Sequence, residues 1–196
     1  MPLTSLIFLD TEFTNFRDPH LLALGMAGLD GQEFYAELDL QSEEADRARL
    51  ASSEFVLGPQ VLGQWGCIPR RAMSSAQIGE QAGQWLSDQI ERSNSADASG
   101  AGSLTICSDS DTDLKLLTWA LRNAGSWASV AGRIKFQNIQ PMLATVRADL
   151  AAQRCFESLA QARGLRPHHA LADALALRDS FQAVVQPVPA TEGVSQ

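Results

Sequence analysis

A chain of 196 residues that is 45% apolar is long and apolar enough for one globular domain with its own core, which excludes a disordered chain. Its formal charge of -8 argues against a broad basic face that grips long nucleic acid, although an enzyme holding only a chain end through metal ions stays compatible with it. No apolar run reaches membrane-spanning length, no basic segment precedes the N-terminal apolar run as in a signal peptide, and Cys67, Cys107 and Cys155 lack C-x-x-C spacing, so the expectation is a cytoplasmic protein with reduced thiols and no membrane partner.

The run Ser5 to Phe8 continues through Leu9 and reads as a buried strand that ends in two acids, Asp10 and Glu12. Asn15 to Pro19 forms a turn, and His20 to Leu29 is mostly apolar around Gly25. Asp30-Gly31 is a hairpin signal, and Gln32 to Leu38 alternates, with Phe34, Ala36 and Leu38 on one side and Tyr35 on the other. These segments predict three antiparallel strands, the first of them central. Gln41 to Ala51 fits either a short helix or a loop, and Phe55 to Trp65 has no clean period. Arg70-Arg71 is a basic pair that fits a solvated patch or a phosphate contact. The stripe Ile78, Ala82, Trp85, Leu86 and Ile90 predicts a helix from Ser74-Ser75 to about Glu91, followed by a flexible loop over 92–103. Leu104 to Cys107 is a short buried strand, Leu114 to Asn123 a helix, and Ile134 to Phe136 a further strand. Helices are expected at 141–152, 156–163 and 170–185. The expected domain spans residues 1–185, with 186–196 a disordered tail. A meander of strands followed by alternating helices and strands predicts a single α/β domain around a mixed sheet.

Three stretches carry chemistry. Asp10 and Glu12 share one side of their strand, because strand side chains alternate, and Thr11 faces the other way. Two adjacent acids that lose hydration repel each other, and a divalent cation is the simplest compensation. A strand ending in two solvated acids fits the same residues. Ser108 to Asp113 places Asp109, Asp111 and Asp113 between a buried strand and a helix, where sites gather in α/β sheets; helix capping accounts for one or two of them. Near the C-terminus, Pro167-His168-His169-Ala170-Leu171-Ala172-Asp173 sets a helix start. At about 100° per residue, positions five apart share no helical face, so His168 meets Asp173 only from the loop ahead of the helix. The small residues Ala170, Ala172, Ala174 and Ala176 allow that helix to approach the sheet closely.

In this order, the D-x-E strand, the strand-Asp-helix unit and the H-x(4)-D helix start resemble the DEDDh family of 3′-to-5′ exonucleases, which includes RNase T, oligoribonuclease and the proofreading subunit of bacterial DNA polymerase III. The resemblance runs from Leu6 to Val185. Phe8 to Thr14 is similar to the family's first motif and His168 to Ala174 to its third, an alignment that selects His168 rather than His169. The second motif departs from the pattern: Asp109 stands in the family's Asn place, Thr112 in its aromatic place and Asp113 in its ligand place, with Asp111 a rival. The only tyrosine, Tyr35, lies elsewhere, so the tyrosine variant of the family does not apply.

The resemblance implies a ribonuclease H-like domain with a five-stranded mixed sheet. It also implies that Asp10, Glu12, Asp113 and Asp173 hold two Mg²⁺ or Mn²⁺ ions and that His168 takes the proton from an attacking water. The implied activity releases nucleoside 5′-monophosphates from the 3′ end of single-stranded or short RNA or DNA. Phe13, Thr14 and Phe16 would receive the terminal nucleotide. Dimers are common in the family, which leaves a homodimer open. The competing reading is a catalytically weak nucleic-acid-binding or assembly module on the same fold.

Overall fold

The computed structural model describes residues 6–96 and 102–186. Its centre is a mixed sheet of six strands in the order β4-β3-β2-β1-β5-β6. β1 (Leu6–Phe13) lies between β2 (Leu21–Gly28), to which it is antiparallel, and β5 (Leu104–Ser108), to which it is parallel. β3 (Glu33–Leu38) continues the antiparallel meander beyond Asp30-Gly31, where Gly31 takes a φ of 85° that only glycine adopts freely. β6 (Ile134–Asn138) extends the parallel side.

The expected five-stranded sheet needs correction. A sixth strand, β4 (Ala72–Met73), pairs in parallel with β3 at the edge. Two residues are too few to show the alternation by which a strand is read from sequence.

Odd and even positions of β1 serve two different cores. Ile7 and Leu9 pack with Leu24, Met26, Leu86, Leu117 and Leu121 on one side. That side is covered by α3 (Ser75–Ala96) and α4 (Asp111–Asn123). Phe8 packs with Leu177 and Phe181 of α8 (Ala170–Val185) on the other, and Ala23, Ala27 and Tyr35 meet Leu171, Ala174 and Leu175 there. Every residue of β2 is buried, as befits a strand covered by helices on both faces. Each large apolar side chain in these clusters contributes roughly 1.5–3 kcal/mol by leaving water.

Helix limits differ from expectation for local reasons. Gln41 to Ala51 resolves into α1 (Glu43–Ala51), capped by the Ser42 hydroxyl, which accepts from the Ala45 N–H at 3.2 Å. The stretch from Phe55 to Trp65 holds α2 (Glu54–Leu57) and a 3₁₀ turn, Leu62–Gln64. α3 continues five residues beyond the expected Glu91 end, through Arg92 to Ala96, because no glycine or proline stops it; 97–101 of the expected loop lie outside the described residues. α4 begins three residues early, since Ser110 caps it by accepting from the Thr112 N–H at 3.1 Å. A short α5 (Trp127–Val130) precedes β6. The two helices expected over 141–152 and 156–163 are instead a short α6 (Gln140–Leu143) and one continuous α7 (Val146–Arg163). Thr145 caps α7, Gly164 at φ 71° ends it, and no breaker interrupts it. The expected tail, from 187 on, lies outside the described residues. Among the described residues no helix is long and apolar enough to cross a membrane.

Candidate functional site

Asp10 and Glu12 leave β1 on the face toward α8. Pairing with β2 slips just there: Glu12 opposes Ala23 and Phe13 opposes Leu21, so Leu22 has no register partner. A bulge of this kind bends a strand and re-aims its side chains. Asp10 pairs with Gly25, and a Cβ built on Gly25 would lie 2.3 Å from the Ala170 carbonyl carbon and oxygen. Only a residue without a side chain lets the start of α8 rest on the sheet at this height. That contact brings Asp173, in the first turn of α8, over Asp10.

His168 precedes the helix, with its backbone at φ 64° and its N–H donating to Asp173 Oδ2 at 2.8 Å. The histidine thus meets Asp173 from outside the helix. Its ring is exposed. His169 behaves differently: it is 2% exposed and stacks on Tyr35 at 4.4 Å, and burial pushes its imidazole down to about 4.

Asp113 arrives from the opposite face, on α4. Thr11, the β1 residue that faces away from Asp10 and Glu12, donates its hydroxyl to Asp113 Oδ1 at 2.6 Å. Ser108 donates to Oδ2 at 2.8 Å. Both oxygens are held, and each keeps a lone pair for a cation. Asp111 lies outside the trough; it is exposed and accepts from Asn138 Nδ2 at 3.0 Å. Asp109, expected only in the family's Asn place, joins the cluster.

These residues fall into two groups, each compact enough that it could hold a cation. Atoms of Glu12, His168 and Asp173 lie within 4.8 Å of one another, and so do those of Asp10, Asp109 and Asp113. Burial, reinforced by repulsion from Asp173, Asp113, Glu12 and Asp109, holds the Asp10 carboxyl well above the usual carboxylate range. Burial and the same neighbours Asp173 and Asp113 push Glu12 up to about 8. Burial raises Asp173 to about 7 against the opposing His168 N–H, and Asp113 to about 6 against the Thr11 and Ser108 hydroxyls. Carboxyls this close do not all ionise without positive charge among them.

The cluster lines a trough made of two hollows of about 300 and 420 Å³ that share Asp10, Asp109, His168 and Asp173. Phe13 and Phe16 line the first, their rings edge to face at 5.1 Å, with Phe16 86% exposed. Phe55, 52% exposed, lines the same hollow with its ring perpendicular to that of His168 at 4.9 Å. Sequence reading missed Phe55, whose aperiodic surroundings carry no signal except one aromatic in a polar stretch. Thr14 is not brought to the trough. It is fully buried; its hydroxyl donates to Asp18 O at 3.3 Å and accepts from the His20 N–H at 3.0 Å, and its own N–H bonds His20 O. These groups close the turn after β1, so the Thr14 hydroxyl is engaged within that turn.

No protein-family model matches the chain, and no curated protein matches it significantly in sequence.

Proposed function

We propose that this chain is a metal-dependent 3′-to-5′ exonuclease on a ribonuclease H-like domain, releasing nucleoside 5′-monophosphates from single-stranded or short RNA or DNA. One observation carries the reading: Asp10, Glu12, Asp113 and Asp173, from β1, α4 and α8, converge on one trough with the exposed His168 beside them. Hard oxygen donors in two adjoining groups fit two Mg²⁺ or Mn²⁺ ions, and the raised carboxyls are the electrostatic mark of a site that lacks positive charge of its own. When bound, such ions supply Lewis acidity and charge for an in-line displacement at phosphorus.

The protein's own groups supply the rest. His168, in reach of the Glu12 and Asp173 ligand atoms, accepts a proton from the attacking water, a role that suits imidazole. Asp113 is oriented by two hydroxyls before any ligand arrives. Phe13, Phe16 and Phe55 line the hollow and are the aromatics on which a terminal base would stack; such stacking is worth about 1–3 kcal/mol per base and tolerates any sequence. Among the described residues, the acids lining the trough are Asp10, Glu12, Asp109, Asp113, Asp149 and Asp173, and no lysine or arginine lines it. An acidic lining favours short substrates, whose few phosphates meet little repulsion once the scissile one is compensated.

The test is metal dependence. EDTA should abolish hydrolysis of a 3′-hydroxyl oligonucleotide, and Mg²⁺ or Mn²⁺ should restore it, across a length series starting at the dinucleotide. Full activity in EDTA contradicts the reading.

A further inference from the structure

Gln64 lies 104 positions before His168 and, among the described residues, forms no hydrogen bond with the carboxylates, yet its side chain is spent largely on the loop that carries the histidine. It is 6% exposed, at the end of the 3₁₀ turn Leu62–Gln64. Its Oε1 accepts from the Arg166 N–H at 2.9 Å. Its Nε2 donates to Pro167 O at 2.7 Å and to Gln60 O at 2.6 Å. Both amide hydrogens and one oxygen lone pair are used, and rotating the amide by half a turn would set oxygen against two carbonyls and nitrogen against an N–H. The turn itself is fixed to the sheet, since the neighbouring Trp65 donates its indole N–H to Leu38 O at the end of β3 at 2.9 Å.

The consequence falls on His168. Its φ of 64° is a conformation that residues with a Cβ seldom adopt and hold only when their surroundings over-determine it. Here the Arg166 N–H and Pro167 C=O are held by Gln64, and the His168 N–H is held by Asp173. Three consecutive residues therefore have a fixed backbone group: the Leu165–Arg166 peptide plane is held through its N–H, and the Pro167–His168 plane through both its C=O and its N–H, which restrains the histidine from turning away from the trough.

We infer that Gln64 is a positioning residue that holds His168 in its left-handed conformation toward the carboxylates. The inference rests on the exonuclease reading for its kinetic consequence, and on geometry alone for its structural one.

The experiment is a double-mutant cycle of Gln64→Met and His168→Ala, with hydrogen exchange on each protein. Methionine keeps the volume and loses all three hydrogen bonds. Gln64→Met should lower kcat about 10- to 100-fold with KM and Mn²⁺ affinity little changed, because misplacing a reacting group by about 1 Å costs on that order. In the His168→Ala background the same change should cost nothing further, since the group it positions is gone. The Arg166 and His168 amides should exchange faster in Gln64→Met than in the parent. Gln64→Asn, which cannot span the same distance, should reproduce the pattern. An equal loss in both backgrounds, or unchanged exchange at Arg166 and His168, overturns the inference. If the parent protein hydrolyses no phosphodiester with Mg²⁺, the exonuclease reading fails, while exchange at Arg166 and His168 still decides the clamp.

Discussion

Asp111 and Asp113 stand two positions apart on one helix turn and differ in everything that surrounds them. Asp113 is buried, accepts two hydroxyl hydrogen bonds and lies in a ligand group with Asp10 and Asp109. Asp111 is exposed and bonds Asn138. Asp113→Asn should therefore remove most hydrolysis and weaken Mn²⁺ binding, because the amide loses a negative charge and presents an NH₂ to a hydroxyl donor or to the cation. Asp111→Asn should cost at most about 0.3–1 kcal/mol of stability, the worth of a first-turn acid, and leave the rate near that of the parent. Steady-state rates with calorimetric Mn²⁺ titration decide it, and the reverse ranking would move the ligand to Asp111. Spacing alone left these two open. Both follow the same strand within one helical turn, and what separates them is the Ser110 cap, which fixes the helix phase so that Asp113 faces inward. Asp10 and Glu12, by contrast, were legible because a strand's alternation fixes its faces regardless of context. Thr14 was not, since its partners depend on how the turn from Asn15 to His20 closes.

Elements meet at this site through one close approach. β2 and α8 touch where Gly25 lies against Ala170, and the small residues along α8 made a close helix legible in the sequence but not the point where it lands. Gly25→Ala would place a Cβ 2.3 Å from the Ala170 carbonyl carbon and 2.4 Å from the Leu171 nitrogen. Backbone atoms cannot swing aside like a side-chain tip, so the strand and helix must separate. The expected cost is about 1–3 kcal/mol in a urea melt, as for other overpacked cores. Mn²⁺ affinity should fall with it, because Asp173 moves with α8 and Asp10 with the sheet. Parent-like stability and metal affinity in Gly25→Ala would show that this contact does not set the spacing of the carboxylates. The sixth strand and the unbroken α7 show the limit of pattern reading for elements. A two-residue edge strand has no period, and a polar stretch inside a long helix looks like a boundary even where no breaker stands in it.

For the molecule as a whole, the trough concentrates negative charge that folding must tolerate. The carboxyls of Asp10, Glu12, Asp113 and Asp173 are all raised in the folded chain, so the native state holds more protons than the unfolded one and stability falls as pH rises. Their contribution is fully present below the ordinary carboxylate range near pH 4 and is lost progressively as pH passes about 6 at Asp113, about 7 at Asp173 and about 8 at Glu12. A divalent cation that binds the ionised site reverses this loss by mass action. The gain in Tm between EDTA and Mg²⁺ should accordingly grow from pH 5 to pH 8 in thermal scans, and a gain that is flat or shrinks with pH would detach the cation from these carboxyls. Whether the trough cuts nucleic acid from its 3′ end with these carboxylates, as proposed, is decided by digestion of a 5′-labelled single strand with Mg²⁺ by the parent protein and by Asp173→Asn. The parent should give a ladder that shortens from the 3′ side, blocked by a 3′-phosphate and absent in the variant, with circular strands untouched; immediate release of the 5′ label as a mononucleotide, cutting of circles, or an undiminished ladder from Asp173→Asn would overturn the exonuclease reading.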